Sequence, residues 1–203
     1  MDKRIVFATS NAGKVKEIQM ILSDLGYDVV SMKEAGIITD VEENGATYEE
    51  NALIKARAVA AMTKDIVMAD DSGLEVDALN KEPGILSARY LGEDTSYTVK
   101  NAEIIRRLDG KAGEERHARF VCAIAAVFPD GREVTTRATI EGQIGYEERG
   151  EHGFGYDPIF YVPEFDKTTA ELTEEEKNLV SHRGKALELM KEELKKYEST
   201  CGK

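Results

Sequence analysis

Apolar positions along this chain recur at two spacings, and their alternation predicts strands and helices by turns. Ile5 to Ala8 is a short unbroken apolar run, as in a buried strand, and Val15, Ile18, Leu22 and Leu25 then repeat at helical intervals. A short strand is expected at Val29-Val30. A helix follows from about Thr47 to Thr63, opened by a Thr47-x-x-Glu50 capping box, with a small-residue stripe at Ala52, Ala56 and Ala60 beside Leu53 and Val59. Ile66 to Ala69 is apolar and β-branched, and it delivers Asp70 and Asp71 to Ser72-Gly73, read as a strand end followed by a turn. Pro83-Gly84 marks another turn. Thr98 to Leu108 has helical spacing, with Ile104, Ile105 and Leu108 inward and Arg106 and Arg107 outward, and Lys111 to Glu115 is a polar linker. Arg119 to Phe128 is apolar on both alternating faces, which predicts a central strand. Pro129-Asp130-Gly131 then returns the chain as an antiparallel strand over Val134, Thr136, Ala138 and Ile140. After a strand at Ile159-Val162, Ser181 caps a last helix in which Leu187, Met190, Leu194 and Tyr197 share a face, and residues 198–203 are expected to fray. The order implies an α/β fold with a mixed sheet flanked by helices.

Composition narrows the functions open to such a fold. At 203 residues and 22.5 kDa with 41% apolar content, the chain suits one large domain or two intimate lobes, and a single folding unit is expected. Its 27 basic and 39 acidic residues leave a net charge of −12, which argues against duplex nucleic acid or an anionic membrane as a partner. A nucleotide remains open, because a small anion needs only a local cluster of donors. Cys122 sits in an apolar run and Cys201 in a polar stretch, a pattern of neither a metal site nor a disulfide framework. With no signal-like or membrane-length apolar segment, a cytoplasmic location is expected.

Five stretches carry candidate chemistry. Adjacent carboxylates at Asp70-Asp71 repel and resist desolvation, so a cation normally settles them, and Mg²⁺ is the natural one where a substrate's phosphates complete its shell. An isolated Asp-Asp-Ser-Gly can equally be a cap and an Asx-turn. Thr9-Ser10-Asn11-Ala12-Gly13-Lys14 joins a strand to a helix and offers an anion site, although simple capping accounts for it as well; Ala8 and Val15 rule out a P-loop. Glu42 and Glu43 are either a solvated acidic loop or further ligands for the same cation. In Gly153-Phe154-Gly155-Tyr156-Asp157-Pro158, Pro158 excludes a dinucleotide fingerprint; the glycines admit a flat ligand on which Phe154 and Tyr156 can stack, with Asp157 accepting from it. His182 and Arg183 at a helix N-terminus, downstream of Lys177, fit a clamp on an anionic or acceptor-rich ligand.

Six blocks, taken in order, resemble the signature of the inosine-triphosphate pyrophosphatase family over about residues 3–197. They are Thr9-Ser10-Asn11-x-x-Lys14, Glu42-Glu43 with Thr47-x-Glu49-Glu50-Asn51-Ala52, Ala69-Asp70-Asp71-Ser72-Gly73-Leu74, Pro83-Gly84-x-x-Ser87-Ala88-Arg89-Tyr90, Gly153 to Phe160, and Ser181-His182-Arg183-Gly184. The resemblance implies a long bent mixed sheet in two lobes with a central cleft, spanning 1–197 ahead of a flexible tail, 198–203. It implies a homodimer that hydrolyses ITP, dITP and XTP with Mg²⁺. Residue by residue it puts Thr9, Ser10, Asn11, Ala12, Gly13 and Lys14 on the triphosphate, Asp71 as general base and metal ligand, and Ser72 on the substrate. Phe154, Gly155, Tyr156, Asp157, Lys177, His182 and Arg183 would line the base and sugar pocket, and the second metal carboxylate would be Glu42 or Glu43. Asn44 departs from the Thr that many relatives carry beside this acidic loop. Rival readings are a pyrophosphatase for other modified nucleotides and a non-catalytic nucleotide sensor.

Overall fold

Residues 3–9, 12–173, 176–177 and 181–201 are described in the computed structural model. Strands β1 (Arg4–Phe7), β2 (Asp28–Ser31), β3 (Ile66–Val76), β4 (His117–Val127), β5 (Glu133–Ile144), β6 (Phe160–Val162) and β7 (Lys167–Thr168) form one sheet of order β2-β1-β3-β4-β5-β6-β7. Four α-helices accompany it among the described residues: α1 (Ala12–Leu22), α2 (Tyr48–Ala60), α3 (Tyr97–Arg107) and α4 (His182–Cys201). The sheet is mixed. β1 pairs in parallel with β2 and β3, whereas β5, β6 and β7 pair antiparallel, and the β4–β5 connection is too short for a parallel crossover.

Two compact units share these strands. One comprises residues 1–71, 122–138 and 183–203, the other 72–121 and 139–182. In the first, alternation along β1 decides which helices are covered: Ile5 and Phe7 pack with Ile18 and Leu22 of α1 and Leu187, Met190 and Leu194 of α4, while Val6 packs with Ala52, Ala56 and Val59 of α2. The small residues of α2 thus line a core, and Cys122 is fully buried. In the second unit Leu74, Val76, Phe120, Ile140, Ile144 and Phe160 close around Ile104 and Leu108 from the α3 segment.

Two expectations need correction. β3 does not end at Asp70-Asp71: it continues as one buried strand through Ser72-Gly73 to Val76, so neither the turn nor the Asx-turn alternative is present. Interior hydrogen-bond partners, described below, carry the acids that sequence alone assigns to a turn. α4 likewise continues to Cys201 instead of fraying from Glu198, whose carboxylate accepts from Lys3 at 2.6 Å; Gly202 and Lys203 lie outside the described residues.

Candidate active site

β3 brings Asp70 and Asp71 into the interior at 2% and 8% exposure, a placement that no pair of ionised neighbours tolerates without partners. The partners come from three helices. Lys14, in the first turn of α1, puts its Nζ 3.0 and 2.9 Å from the two oxygens of Asp70, and Arg183, in the first turn of α4, donates Nε–H to Asp70 Oδ2 at 3.2 Å. Burial alone would raise the Asp70 pKa, but the charges of Lys14, Arg183 and Lys55 and the Lys14 hydrogen bonds outweigh it and hold the carboxyl well below its usual range. Asp70 is therefore a fixed anion.

Asp71 points into a different environment. Asn51 of α2, itself fully buried, donates from Nδ2 to Asp71 Oδ2 at 3.1 Å, and Lys55, one turn later, holds its Nζ 3.9 Å from Asp71 Oδ1 and 3.1 Å from Glu43 Oε1. Burial pushes the Asp71 pKa up; Lys55 and the Asn51 bond offset part of this, Glu43 and Asp70 add to it, and the net value is about 6. Of the two loop acids, Glu43 is half-buried at this cluster and Glu42 is exposed. Three carboxylates and three cations meet here among the described residues, so their formal charges balance.

The second unit builds a separate polar group around Asp157. Its Oδ1 accepts from Thr169 Oγ1 at 2.8 Å, and its Oδ2 accepts from the Phe154 N–H at 2.9 Å and from Lys177 Nζ at 2.8 Å. Gly153 makes the turn possible: its φ is +79°, and a Cβ there would lie 2.1 Å from Asp157 Oδ2 and 2.8 Å from Lys177 Nζ. The loop presents only one of its two aromatics. Phe154 is 61% exposed with Lys177 5.8 Å from its ring centre, but Tyr156 is 4% exposed, packs edge-on against Tyr97 and donates its hydroxyl to the Ser87 carbonyl. Stacking by Tyr156 does not fit this packing, and the Asp157 oxygens hold Thr169, the Phe154 N–H and Lys177. His182 stacks on Phe120 with ring centres 5.2 Å apart.

Of the residues expected on the triphosphate, Thr9 follows β1 and Ala12, Gly13 and Lys14 open α1, while Ser10 and Asn11 lie outside the described residues. Lys14, Asp70, Asp71 and Arg183 converge in one unit; Ser72, Phe154, Gly155, Tyr156, Asp157, Lys177 and His182 belong to the other. Asn51, Lys55 and Thr169 were missed. For the first two a signal existed, polar residues four apart on the face of α2 that otherwise carries Ala52, Ala56 and Val59.

Fold and site together define an open mixed α/β sheet whose buried acid pair is clamped by cations from helix starts. Comparison with known proteins then supplies the family. The Ham1 family pattern matches residues 5–193. The dITP/XTP pyrophosphatases of Exiguobacterium sibiricum and Desulforamulus reducens are 50% and 51% identical over 184 residues, 91% of this chain and 93% and 92% of theirs. The structure of the Staphylococcus aureus Ham1 protein superposes with a TM-score of 0.87 at 44% identity, over 96% of this chain and all of that one. The chain belongs to the Ham1 family.

Proposed function

We propose that this protein hydrolyses non-standard purine nucleoside triphosphates, dITP, ITP and XTP, to the monophosphate and pyrophosphate. The observation that carries the reading is Asp71, an interior carboxylate beside the cation-paired Asp70 and sharing Lys55 with Glu43, in a chain about half identical to dITP/XTP pyrophosphatases. A carboxylate so placed is poised as a general base.

The donor set fits Mg²⁺. Asp71 and Glu43 offer hard oxygens to one shared Lys55 ammonium, and a balanced cluster admits a polyanion most readily with an accompanying cation. Asp71 and Glu43 would hold the ion, which when bound supplies charge neutralisation on the phosphates and a more acidic water. Asp71 takes the proton of the water attacking the α-phosphorus. Asp70 keeps Lys14 and Arg183 charged and in place for the phosphates. At the base end Phe154 offers a stacking face, and Lys177, fixed by Asp157, offers a donor to the 6-keto oxygen that hypoxanthine and xanthine have and adenine lacks. Discrimination by such a donor can reach roughly 10⁴. Guanine shares the 6-keto oxygen, so its rejection rests on position 2, where it carries an amino donor in place of the hydrogen of hypoxanthine or the keto acceptor of xanthine.

The test is pyrophosphate release from dITP, ITP, XTP, GTP and ATP, with and without Mg²⁺. The first three should dominate and chelator should abolish turnover. Equal rates on all five would overturn the base assignment, and binding without release would make the protein a sensor. The resemblance also implies a homodimer, which sedimentation tests, and the cytoplasmic location expected from the apolar pattern is tested by fractionation; among the described residues no helix is long and apolar enough to cross a membrane.

A further inference from the structure

Asn51 is an unusual occupant of its position. It lies in the first helical turns of α2, where Asn is a poor helix former, it is fully buried, and both ends of its amide are used by other elements. Its Oδ1 accepts the Gly45 N–H at 2.8 Å, and its Nδ2 donates to Asp71 Oδ2 at 3.1 Å. One turn on, Lys55 spans the same two elements, reaching Glu43 and Asp71. The loop is pressed against this face: a Cβ on Gly45 would lie 2.8 Å from Asn51 Oδ1 and 2.7 Å from the Glu50 Cβ. The helix start needs no help from the Asn51 side chain, because Thr47 and Glu50 already cap it, with Glu50 N–H on Thr47 Oγ1 at 3.1 Å and Ala46 N–H on Glu50 Oε2 at 2.6 Å.

We infer that Asn51 is a positioning residue for the hydrolytic step, tying the Glu42–Gly45 loop to β3 so that Asp71 and Glu43 are held at a fixed spacing and orientation. An amide suits the task because it donates to a carboxylate and accepts from a backbone N–H at once, which neither Asp nor Leu can do. The inference rests on the pyrophosphatase reading for its catalytic meaning and on hydrogen bonding alone for the tether.

Asn51→Leu removes both bonds; Asn51→Asp keeps the acceptor for Gly45 and replaces the donor to Asp71 with a second carboxylate. Both should lower kcat on dITP by about 10- to 100-fold with KM within roughly threefold. Amide hydrogen exchange at Gly45, measured without metal or nucleotide, should accelerate at least about tenfold in Asn51→Leu and stay near wild type in Asn51→Asp. Added to Asp71→Asn, Asn51→Leu should cost clearly less than it does in the wild type, since part of its effect runs through the Asp71 carboxylate. Near wild-type kcat in Asn51→Asp, unchanged Gly45 exchange in Asn51→Leu, or multiplicative losses in the double variant would each overturn the inference. If Asn51→Leu does not fold, kcat and Gly45 exchange of Asn51→Asp decide it. A wild-type protein without turnover would sink the pyrophosphatase reading while leaving the exchange measurement able to judge the tether.

Discussion

The two units treat a buried carboxylate in opposite ways. Asp157 is saturated: a hydroxyl, a backbone N–H and an ammonium occupy its oxygens, and it serves to hold Lys177 and the Phe154 turn. The partners of Asp71 include the Asn51 amide N–H and the Lys55 ammonium at 3.9 Å, and Glu43 and Asp70 are near enough to repel it. An acid held by donors becomes scaffold, and one that is buried facing other carboxylates has its proton affinity raised and can be used. Asp70, one residue away on the same strand, belongs with Asp157 in this respect. Adjacent residues of β3 face opposite sides, so a single strand can give one acid to a cation clamp and the next to chemistry.

The largest effect should separate use from scaffold directly. Asp71→Asn preserves shape and the Asn51 and Lys55 surroundings but removes the base, so kcat on dITP should fall roughly 10³-fold, within the range general bases supply, while nucleotide affinity persists. A variant retaining a tenth of wild-type kcat would break the distinction between the two acids.

The neighbouring acids should next differ in the sign of their effect on stability, read by denaturant titration in chelator. Asp70 is lowered in the fold, so its contribution is present above the unfolded carboxylate pKa near 4 and is lost as pH falls below it. Asp70→Asn should therefore destabilise at pH 7 by about 3–5 kcal/mol, because Lys14 and Arg183 lose their buried counter-charge, and the deficit should shrink in acid. Asp71 is raised from 3.8 to about 6, so the folded state binds its proton more tightly and ionisation costs roughly 3 kcal/mol of stability once pH exceeds that value. Asp71→Asn should consequently be more stable than wild type at pH 7, with the gain fading between about pH 6 and pH 4. Parallel pH profiles for the two variants would contradict the contrast.

Features written in neighbouring residues were legible. The Thr47 cap forms, with Glu50 N–H on Thr47 Oγ1 at 3.1 Å and the Glu50 carboxylate reaching back to the Ala46 N–H, and the doubly apolar β4 lies in the middle of the sheet order. Features set by distant partners were not. Nothing local to Ile66–Gly73 says that Lys14 and Arg183 will accompany Asp70 inside, so the acids looked like a strand end. Phe154 and Tyr156 are equivalent in sequence, and only Tyr97 and Ser87 decide that the second is packed away. β7 is two residues long and too short for any periodicity. Asn51 stands in the second family block and Lys55 just beyond it, but no local pattern says that this helix face turns toward Asp71.

The smallest effect tests the scaffold side of the comparison. Thr169 is buried and its hydroxyl reaches both the Asp157 carbonyl at 3.1 Å and Oδ1 at 2.8 Å. Thr169→Val keeps the shape and removes those bonds, leaving Asp157 held by Phe154 N–H and Lys177 alone. Stability should fall by about 1–3 kcal/mol, since a buried carboxylate oxygen loses its donor. If Asp157 works by fixing Lys177, the loosened carboxylate should raise KM for dITP a few-fold and narrow the preference over dATP, with kcat nearly unchanged, because a positioning loss at the base end weakens ground and transition states alike. Measured kcat and KM on both nucleotides decide it: a fall in kcat at constant KM would mean that Asp157 takes part in the chemical step, and the division between saturated and usable acids would have to be redrawn.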